Sequence, residues 1–233
     1  MQQFDTIIIG GGPGGLSCAT ALAEKGVRVL LLERKRRIGA KVCAGGVTWS
    51  GLGSKLPKEL IQRSFPTQKI SSPWQSVSIN STTPIISTVN REQLGRHMAE
   101  KAQKAGVEII SGVSVRKIHS QHVTTSDTSF GYRYLVGADG SCSLVRRFLG
   151  IPTESIGIGI NCQIKQTFDD MEWCLDSKLF GCGYAWIFPH RDSTSVGAYV
   201  DRRCMNAGAL MDSFRRWCGQ RQIEISSAKK QAS

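Results

Sequence analysis

Residues 4–15 read Phe-Asp-Thr-Ile-Ile-Ile-Gly-Gly-Gly-Pro-Gly-Gly, and the fold class follows from this segment. The apolar run at residues 6–9 predicts a strand that is buried on both faces. Gly10 allows the tight turn after this strand, Gly12 lets the backbone approach a diphosphate, and Gly15 lets the next helix pack closely. These positions together predict a dinucleotide-binding βαβ unit whose diphosphate lies at a helix N-terminus.

The residues after this turn supply the rest of the predicted unit. Apolar residues recur at helical spacing over residues 16–25, and residues 27–32 predict a second strand that ends at Glu33. Glu33 stands 23 positions after Gly10, near the roughly 20 that this fingerprint requires, so its carboxylate can accept the ribose hydroxyls of an adenosine. The motif does not distinguish NAD from FAD. The predicted dinucleotide contacts here are Gly10, Gly12, Pro13, Gly14, Gly15, Glu33 and Arg34.

The composition is that of an ordinary globular protein with a basic surface. Of the 233 residues, 40% are apolar and 21% are charged, which argues against disorder. The net charge of +12 favours anionic partners such as phosphates or acidic lipid headgroups. The basic run at residues 34–37 is more simply a solvated loop than a specific anion site. Because no aromatic residues interleave it, nucleic-acid binding is not predicted.

The cysteines and apolar runs exclude two further classes of protein. The eight cysteines form no CxxC pair and no cluster with histidine at zinc spacing, so no metal site is predicted and free thiols are expected. No stretch reaches the roughly 18 apolar residues that a membrane span needs. The N-terminus lacks the features of a signal peptide. We therefore expect a cytoplasmic protein and leave a peripheral membrane contact open.

A second turn of similar design follows a strand predicted at residues 132–136. Residues 137–140 read Gly-Ala-Asp-Gly, and a helix is predicted directly after them. With the first glycine turn and Glu33, this turn resembles the FAD-dependent oxidoreductases built like para-hydroxybenzoate hydroxylase. Residues 89–94 (VNREQL) are also similar to a segment of that family whose arginine approaches the cofactor. The resemblance implies that FAD contacts Arg91, Asp139 and Gly140.

Two further stretches narrow the resemblance to the geranylgeranyl reductase family. Residues 41–47 (KVCAGGV) resemble its Cys-x-Gly-Gly loop, which lies near the flavin ring, and residues 183–189 (GYAWIFP) resemble its YxWxFP segment, which lines the prenyl cavity. The resemblance implies that the cofactor contacts Cys43, Ala44 and Gly45, and that the substrate contacts Tyr184, Trp186 and Phe188.

The residue types alone leave both assignments open. In a strand, Tyr184, Trp186 and Phe188 point to one face and form an apolar wall, but a stripe of core residues has the same pattern. Cys43 on a glycine-rich loop beside Lys41 is a candidate reactive thiol, although a lone cysteine is more often a small buried residue. His190 is interpreted as a surface histidine and is not assigned to catalysis.

The pattern and the resemblance predict an α/β protein with two domains. A Rossmann-like FAD-binding domain of the para-hydroxybenzoate hydroxylase type is expected over residues 1–70 and 90–152, and an antiparallel β-sheet substrate domain over residues 71–89 and 153–205. A helix and a frayed tail are expected over residues 206–233. Family members usually run past this length and carry a later Gly-Asp turn that residues 200–233 lack. The chain is therefore interpreted as C-terminally shortened, with weaker FAD retention expected.

The implied activity is the reduction of prenyl C=C bonds in isoprenoid biosynthesis, with a prenyl lipid or prenyl diphosphate as substrate. NADPH or another donor would reduce FAD, and the flavin would pass hydride to the alkene. Cys43 is the candidate catalytic residue, as proton donor, with an ordered water as the alternative. Two other functions stay open: a flavin-dependent monooxygenase or hydroxylase on the same fold, and a truncated flavin-binding protein without turnover. The oligomeric state is not predicted.

Overall fold

A computed structural model describes residues 1–39, 42–51, 55–226 and 229–232, and only the backbone of the last segment. In chain order its strands are β1 (Gln2–Ile9), β2 (Val29–Glu33), β3 (Gly46–Thr48), β4 (Ile61–Phe65), β5 (Thr67–Ser71), β6 (Ser76–Asn80), β7 (Ile86–Val89), β8 (Glu108–Ser111), β9 (Lys117–Ile118), β10 (His122–Thr124), β11 (Ser129–Gly137), β12 (Gly157–Ile164), β13 (Glu172–Cys174), β14 (Tyr184–Pro189), β15 (Thr194–Asp201) and β16 (Lys229–Ala232). Its α-helices are α1 (Pro13–Ala23), α2 (Arg91–Lys104), α3 (Leu144–Phe148), α4 (Ser177–Phe180) and α5 (Ala207–Gln220).

The chain divides into two compact units, each built from two separate segments. The first unit comprises residues 1–41 and 91–153, and the second comprises residues 42–90 and 154–233. Residues 42–70 were predicted to belong to the first domain. In the structure these residues carry β3, β4 and β5, which pair with β7 and β13 of the second unit. This segment therefore belongs to the second unit.

The first unit is a six-stranded sheet in the order β8-β2-β1-β11-β10-β9, and its four strands β8, β2, β1 and β11 are parallel. Both faces of the central strands are covered, which explains their uninterrupted apolar sequences. On one face Ile8 and Leu31 pack with Leu16 of α1, while on the other Ile7 and Leu30 belong to a separate cluster. The predicted α/β class and Rossmann-like first domain are confirmed.

The second unit contains a seven-stranded sheet in the order β16-β12-β15-β14-β13-β5-β6 and a three-stranded sheet β3-β7-β4. All neighbours in the larger sheet are antiparallel except β13 and β5. One face of this sheet packs against α5, whose Phe214 and Trp217 join a buried cluster with Ile187 and Val196. The sequence predicted a frayed tail after the last helix. In the structure part of this tail forms β16, whose backbone pairs with β12 at the edge of the sheet.

The structure corrects the expectation that all cysteines are free thiols. A disulfide joins Cys182 to Cys204. These cysteines lie just before β14 and just after β15, and the pairing of Tyr184 with Tyr199 brings the two strand ends side by side. In the described residues, no helix has both the length and the apolar character needed to cross a membrane.

Candidate functional site: a glycine-rich cavity and an aromatic sheet face

The turn after β1 requires glycine at two positions. Gly10 has φ +111°, a conformation that residues with a side chain rarely adopt, and a Cβ atom there would overlap the carbonyl group of Ala138. A Cβ atom at Gly15 would overlap the carbonyl oxygen of Gly10. The close approach of Gly15 to Gly10 therefore places the start of α1 directly after the end of β1.

The N-terminus of α1 is open and lacks a side-chain cap. Gly12 is the N-cap residue, and no described side chain hydrogen-bonds to the first turn there. Gly14 and Gly15 contribute N–H groups that have no partner within the helix, whereas Pro13 has no N–H to offer. A Cβ atom at Gly12 or Gly14 would meet no atom of the described residues within 4 Å. Free backbone donors beside open space are suited to a phosphate group.

Glu33 is held at the end of β2 by the backbone of two neighbouring loops. Its Oε2 atom accepts a hydrogen bond from the Gly11 N–H at 2.6 Å, and its Oε1 atom accepts one from the Lys35 N–H at 2.8 Å. Each carboxylate oxygen can accept more than one hydrogen bond, so ribose hydroxyls still find acceptors there. The structure thus presents a fixed acceptor next to the glycine turn.

The second turn lies beside the first, because the Ala138 N–H donates to the carbonyl oxygen of Ile9 at 2.8 Å. The Asp139 carboxylate accepts hydrogen bonds from the Ser143 hydroxyl and from the Leu144 N–H, both at 2.6 Å. This carboxylate therefore caps the start of α3. Gly140, with φ +81°, completes the turn, and contact with a ligand would come mainly from the backbone of this turn.

A cavity of about 430 Å³ opens between these elements, and all its lining residues in the described part of the chain belong to the first unit. Gly14 and Gly15, also predicted as contacts, form the first turn of α1. Ala44 and Gly45 belong to the second unit with Cys43, so their contact with a flavin stays a prediction. Of the residues predicted from the sequence, those that line the cavity are Gly10, Gly12, Pro13, Glu33, Arg34, Arg91, Asp139 and Gly140.

Positive charge dominates this cavity. Among the described residues, four cationic residues that were not predicted from the sequence line it besides Arg34 and Arg91, against the two carboxylates of Glu33 and Asp139. Two of them lie in the basic run at residues 34–37, which was interpreted as a solvated loop. Such an excess of cations favours a ligand with more than one phosphate. The four unassigned residues are Lys35, Arg37, Arg116 and Arg147.

The predicted aromatic residues lie on one face of β14. The ring centroids of Tyr184 and Trp186 are 6.1 Å apart, and those of Trp186 and Phe188 are 6.3 Å apart. Trp173 of β13, which the sequence analysis missed, stacks on both Tyr184 and Phe188. It pairs in register with Trp186 on one side and with Ile70 on the other. The rings therefore form a continuous apolar face across neighbouring strands.

Burial divides this face into two parts. Trp186 and Phe188 are each 7% exposed and pack with Phe65 of β4, so the core interpretation holds for these two residues. Tyr184 and Trp173 are only half-buried and are available to a ligand. Burial raises the pKa of Tyr184, and the neighbouring Tyr199 and Cys43 raise it further.

The Cys43 loop belongs to the same unit as this face. The Cys43 side chain is exposed, and its Sγ atom accepts a hydrogen bond from the Gly45 N–H at 3.5 Å. Lys41, the predicted charged neighbour of this thiol, lies outside the described residues. His190 was interpreted as a surface residue, but it is only 6% exposed and contacts the Ala44 carbonyl. The interpretation of His190 as a surface histidine was therefore wrong, because its side chain packs against the Cys43 loop.

The cavity residues fit a dinucleotide. The glycine turn leaves room for a diphosphate, α1 offers free N–H donors, Glu33 offers an acceptor for ribose, and the cations balance phosphate charge. Fold and site together define a dinucleotide-binding protein of the Rossmann class. Residues 3–172 match the family described as "FAD binding domain", and the chain belongs to this family.

Two relatives with a named activity are similar to this chain, and both are named as reductases of geranylgeranyl compounds. The chain is 29% identical over 226 residues to geranylgeranyl diphosphate reductase of Oryza sativa subsp. japonica, covering 84% of this chain and 49% of that protein. It is 28% identical over 220 residues to digeranylgeranylglycerophospholipid reductase of Methanocella arvoryzae, covering 82% of this chain and 55% of that protein. The chain thus spans about half the length of these relatives.

Solved structures share the fold. A geranylgeranyl bacteriochlorophyll reductase-like protein from Thermoplasma acidophilum superposes with a TM-score of 0.85 at 21% identity, covering 100% of this chain and 65% of that protein. The halogenase PltM in complex with phloroglucinol and FAD superposes with a TM-score of 0.79 at 15% identity, covering 99% of this chain and 60% of that protein. The fold is therefore shared with proteins that are named for different reactions.

Proposed function

We propose that this chain carries the flavin-binding and substrate-binding parts of an FAD-dependent oxidoreductase that reduces C=C bonds of geranylgeranyl-type prenyl groups. The observation that carries this proposal is the half-exposed aromatic face of Tyr184 and Trp173, in a chain whose named relatives are prenyl reductases. An extended apolar chain suits a wall of rigid rings.

Each part of the site has a role in this reaction. FAD, when bound, would supply the hydride, after its own reduction by NADPH or another donor. The cations of the cavity hold the diphosphate, and Glu33 orients the ribose. The aromatic face binds the prenyl chain and excludes water from it. Cys43 is the proposed proton donor to the second alkene carbon, because its exposed thiol lies on a loop of the same unit as the aromatic face.

The substrate is proposed to be a prenyl diphosphate or a prenyl lipid at a membrane surface, since the net charge of +12 favours an anionic head or an anionic bilayer. The contact with lipid is assigned to the hairpin of β5 and β6. At its tip Trp74 is 79% exposed, and the Lys178 ammonium lies 5.4 Å from the centre of its ring. Val77 and Ile79 of β6 are exposed as well. Tryptophan with a neighbouring lysine is typical of a surface that contacts lipid headgroups.

Anaerobic single-turnover reduction tests the proposal. The protein is loaded with FAD, photoreduced without oxygen and mixed with geranylgeranyl diphosphate or a geranylgeranylated glycerophospholipid. We expect the flavin absorption at about 450 nm to return and the lipid to gain two hydrogen atoms for each reduced bond. In Cys43→Ser, which keeps a side chain of similar size at this predicted flavin contact, we expect slower reoxidation of the bound flavin. Cys18→Ser, which removes a thiol of the first unit, serves as the control.

Other outcomes distinguish the competing functions. Oxygen uptake coupled to hydroxylation of a substrate would favour a flavin-dependent monooxygenase, a reaction class also found on this fold. Reduced flavin that no prenyl compound reoxidises would favour a flavin-binding protein without turnover. Either result would overturn the proposed reduction of prenyl groups.

A further inference from the structure

His190 is a buried histidine with hydrogen-bond partners on both ring nitrogens. Its Nε2 atom lies 2.9 Å from the carbonyl oxygen of Ala44, and its Nδ1 atom lies 3.2 Å from the Oε1 atom of Gln62. The ring is 6% exposed. Burying an imidazole ring is costly unless its ring nitrogens form hydrogen bonds, and both nitrogens of His190 have partners.

The chemistry of the two partners fixes the direction of one hydrogen bond. A carbonyl oxygen can only accept, so Nε2 carries a proton and donates to Ala44. The Gln62 amide can present either its oxygen or its NH₂ group to Nδ1, and it therefore suits a protonated or a neutral ring. In both states the bond from His190 to Ala44 is kept.

The loop that receives this bond is tightly confined. Gly45 has φ +87°, and a Cβ atom there would lie 2.6 Å from Cε1 of His190 and 2.7 Å from the carbonyl oxygen of Val89. The Val89 N–H in turn donates to the carbonyl oxygen of Gly45 at 2.9 Å. The loop thus runs between the imidazole ring and the end of β7.

The histidine itself is anchored to the sheets. The Thr88 hydroxyl of β7 donates to the carbonyl oxygen of Pro189 at 2.9 Å, and the His190 N–H donates to the carbonyl oxygen of Ser193 at 2.7 Å. These bonds hold the backbone on both sides of the imidazole. A rigidly held donor can fix the loop that it contacts.

We propose that His190 is a positioning residue whose Nε2–H group fixes the loop of Cys43, Ala44 and Gly45 and thereby holds the Cys43 thiol in place. The carbonyl that accepts this hydrogen bond is one residue from the thiol, and the Gly45 N–H that contacts Sγ is one residue further. The fixing of the loop stands on these contacts alone. Its effect on proton donation to an alkene rests on the proposed function.

Three substitutions of similar size distinguish a donor role from simple packing. His190→Gln places an amide nitrogen near the position of Nε2 and keeps the donor. His190→Leu fills the space without a donor. His190→Asn keeps a polar side chain, but its amide reaches only the Nδ1 position. The readout is hydrogen exchange of the Val89 amide and of the amides of residues 42–47, with the amides of β1 as a measure of global stability.

We expect Val89 exchange to accelerate about tenfold or more in His190→Leu and His190→Asn, since an unsatisfied buried carbonyl releases the loop. His190→Gln is expected to stay within about threefold of the unchanged protein. If His190→Leu unfolds, the Asn and Gln variants carry the comparison. A protected loop in His190→Leu or His190→Asn, or equal loss in all three variants, would overturn the proposal.

Turnover provides a separate test of the consequence. If prenyl reduction is measurable, we expect kcat to fall in His190→Leu and His190→Asn with KM for the prenyl substrate unchanged, and His190→Gln to restore it. If no variant reduces a prenyl substrate, the proposed function fails, whereas the exchange pattern still decides the role of His190.

Discussion

The cavity of the first unit and the aromatic face of the second unit are formed by different kinds of chemical groups. The cavity is made by backbone groups at glycine turns and by charged side chains, whereas the face is made by ring side chains from separate strands. Adding a single carbon atom should destroy the first site, while the second should fail only when a ring is removed. Selective substitutions can therefore separate the binding of flavin from the binding of a prenyl chain.

The largest effect is expected for Gly10→Ala, which tests whether the cavity is a backbone site. The positive φ and the overlap with Ala138 should cost about 2–5 kcal/mol of unfolding free energy and abolish FAD binding. Gly12→Ala is the matched control, since its added carbon meets no atom of the described residues within 4 Å. It should keep its stability and lose only FAD affinity. Thermal unfolding and FAD titration measure both, and equal stability of the two variants would contradict the comparison.

The next effect concerns the polar acceptor of the cavity. Glu33→Ala removes the acceptor of two backbone N–H groups and of the proposed ribose contact, so FAD affinity should fall about 10- to 100-fold. Asp5→Ala is the control, because Asp5 also accepts a backbone N–H, from Arg28, but lies outside the cavity lining. Flavin fluorescence titration measures the change. Similar FAD affinity in the two variants would show that Glu33 has no special role.

Removing a ring from the aromatic face is expected to affect prenyl binding rather than FAD binding. Trp173→Leu should weaken prenyl binding about tenfold through lost stacking and apolar area and leave FAD binding unchanged. Trp217→Leu removes the same ring type from the opposite side of the sheet, where it packs in the α5 cluster. That variant should lose stability without a change in prenyl affinity. Equilibrium binding of a fluorescent prenyl analogue distinguishes the two, and loss of FAD binding in Trp173→Leu would break the comparison.

A smaller effect follows from the buried histidine of the second unit. Burial lowers the pKa of His190 from its ordinary value of 6.5, while the bond to Ala44 acts in the opposite direction. The unfolded chain therefore takes up this proton at higher pH than the folded one. Unfolding free energy should fall as pH drops below 6.5, by at most about 1.4 kcal/mol per pH unit, until the folded pKa is reached. Urea unfolding at several pH values should show a shallower dependence in His190→Gln, and an equal dependence would contradict this.

The smallest effect is expected at the hairpin tip. Trp74→Ser should weaken binding to vesicles that contain phosphatidylglycerol by a few fold and leave FAD binding unchanged. Tyr134→Ser, which removes an exposed ring from the first unit, is the control. Vesicle sedimentation measures both. An equal loss of vesicle binding in the two variants would mean that non-specific adsorption of exposed rings, rather than the hairpin, causes the binding to lipid.

The difference between the two sites also explains what the sequence could predict. The glycine turn and the acidic residue at the end of the next strand belong to one βαβ unit with a fixed spacing, so Gly10, Gly12 and Glu33 were predicted from a local pattern. Arg116 and Arg147 were missed because only the folded sheet brings them to the cavity. Trp173 was missed because its place beside Trp186 depends on strand register across the sheet, which no local pattern records.

The two units also differ in when they can form. The parallel partner of β5 is β13, about 100 residues later in the chain. At about 5–20 residues per second, a ribosome takes roughly 5–20 seconds to make that interval. During this time β5 lacks the strand with which it pairs in parallel, while the strands of the first unit's parallel sheet are complete at residue 137. The interleaved order of the segments therefore makes the sheet that carries the aromatic face the last part of the molecule that can be completed during synthesis.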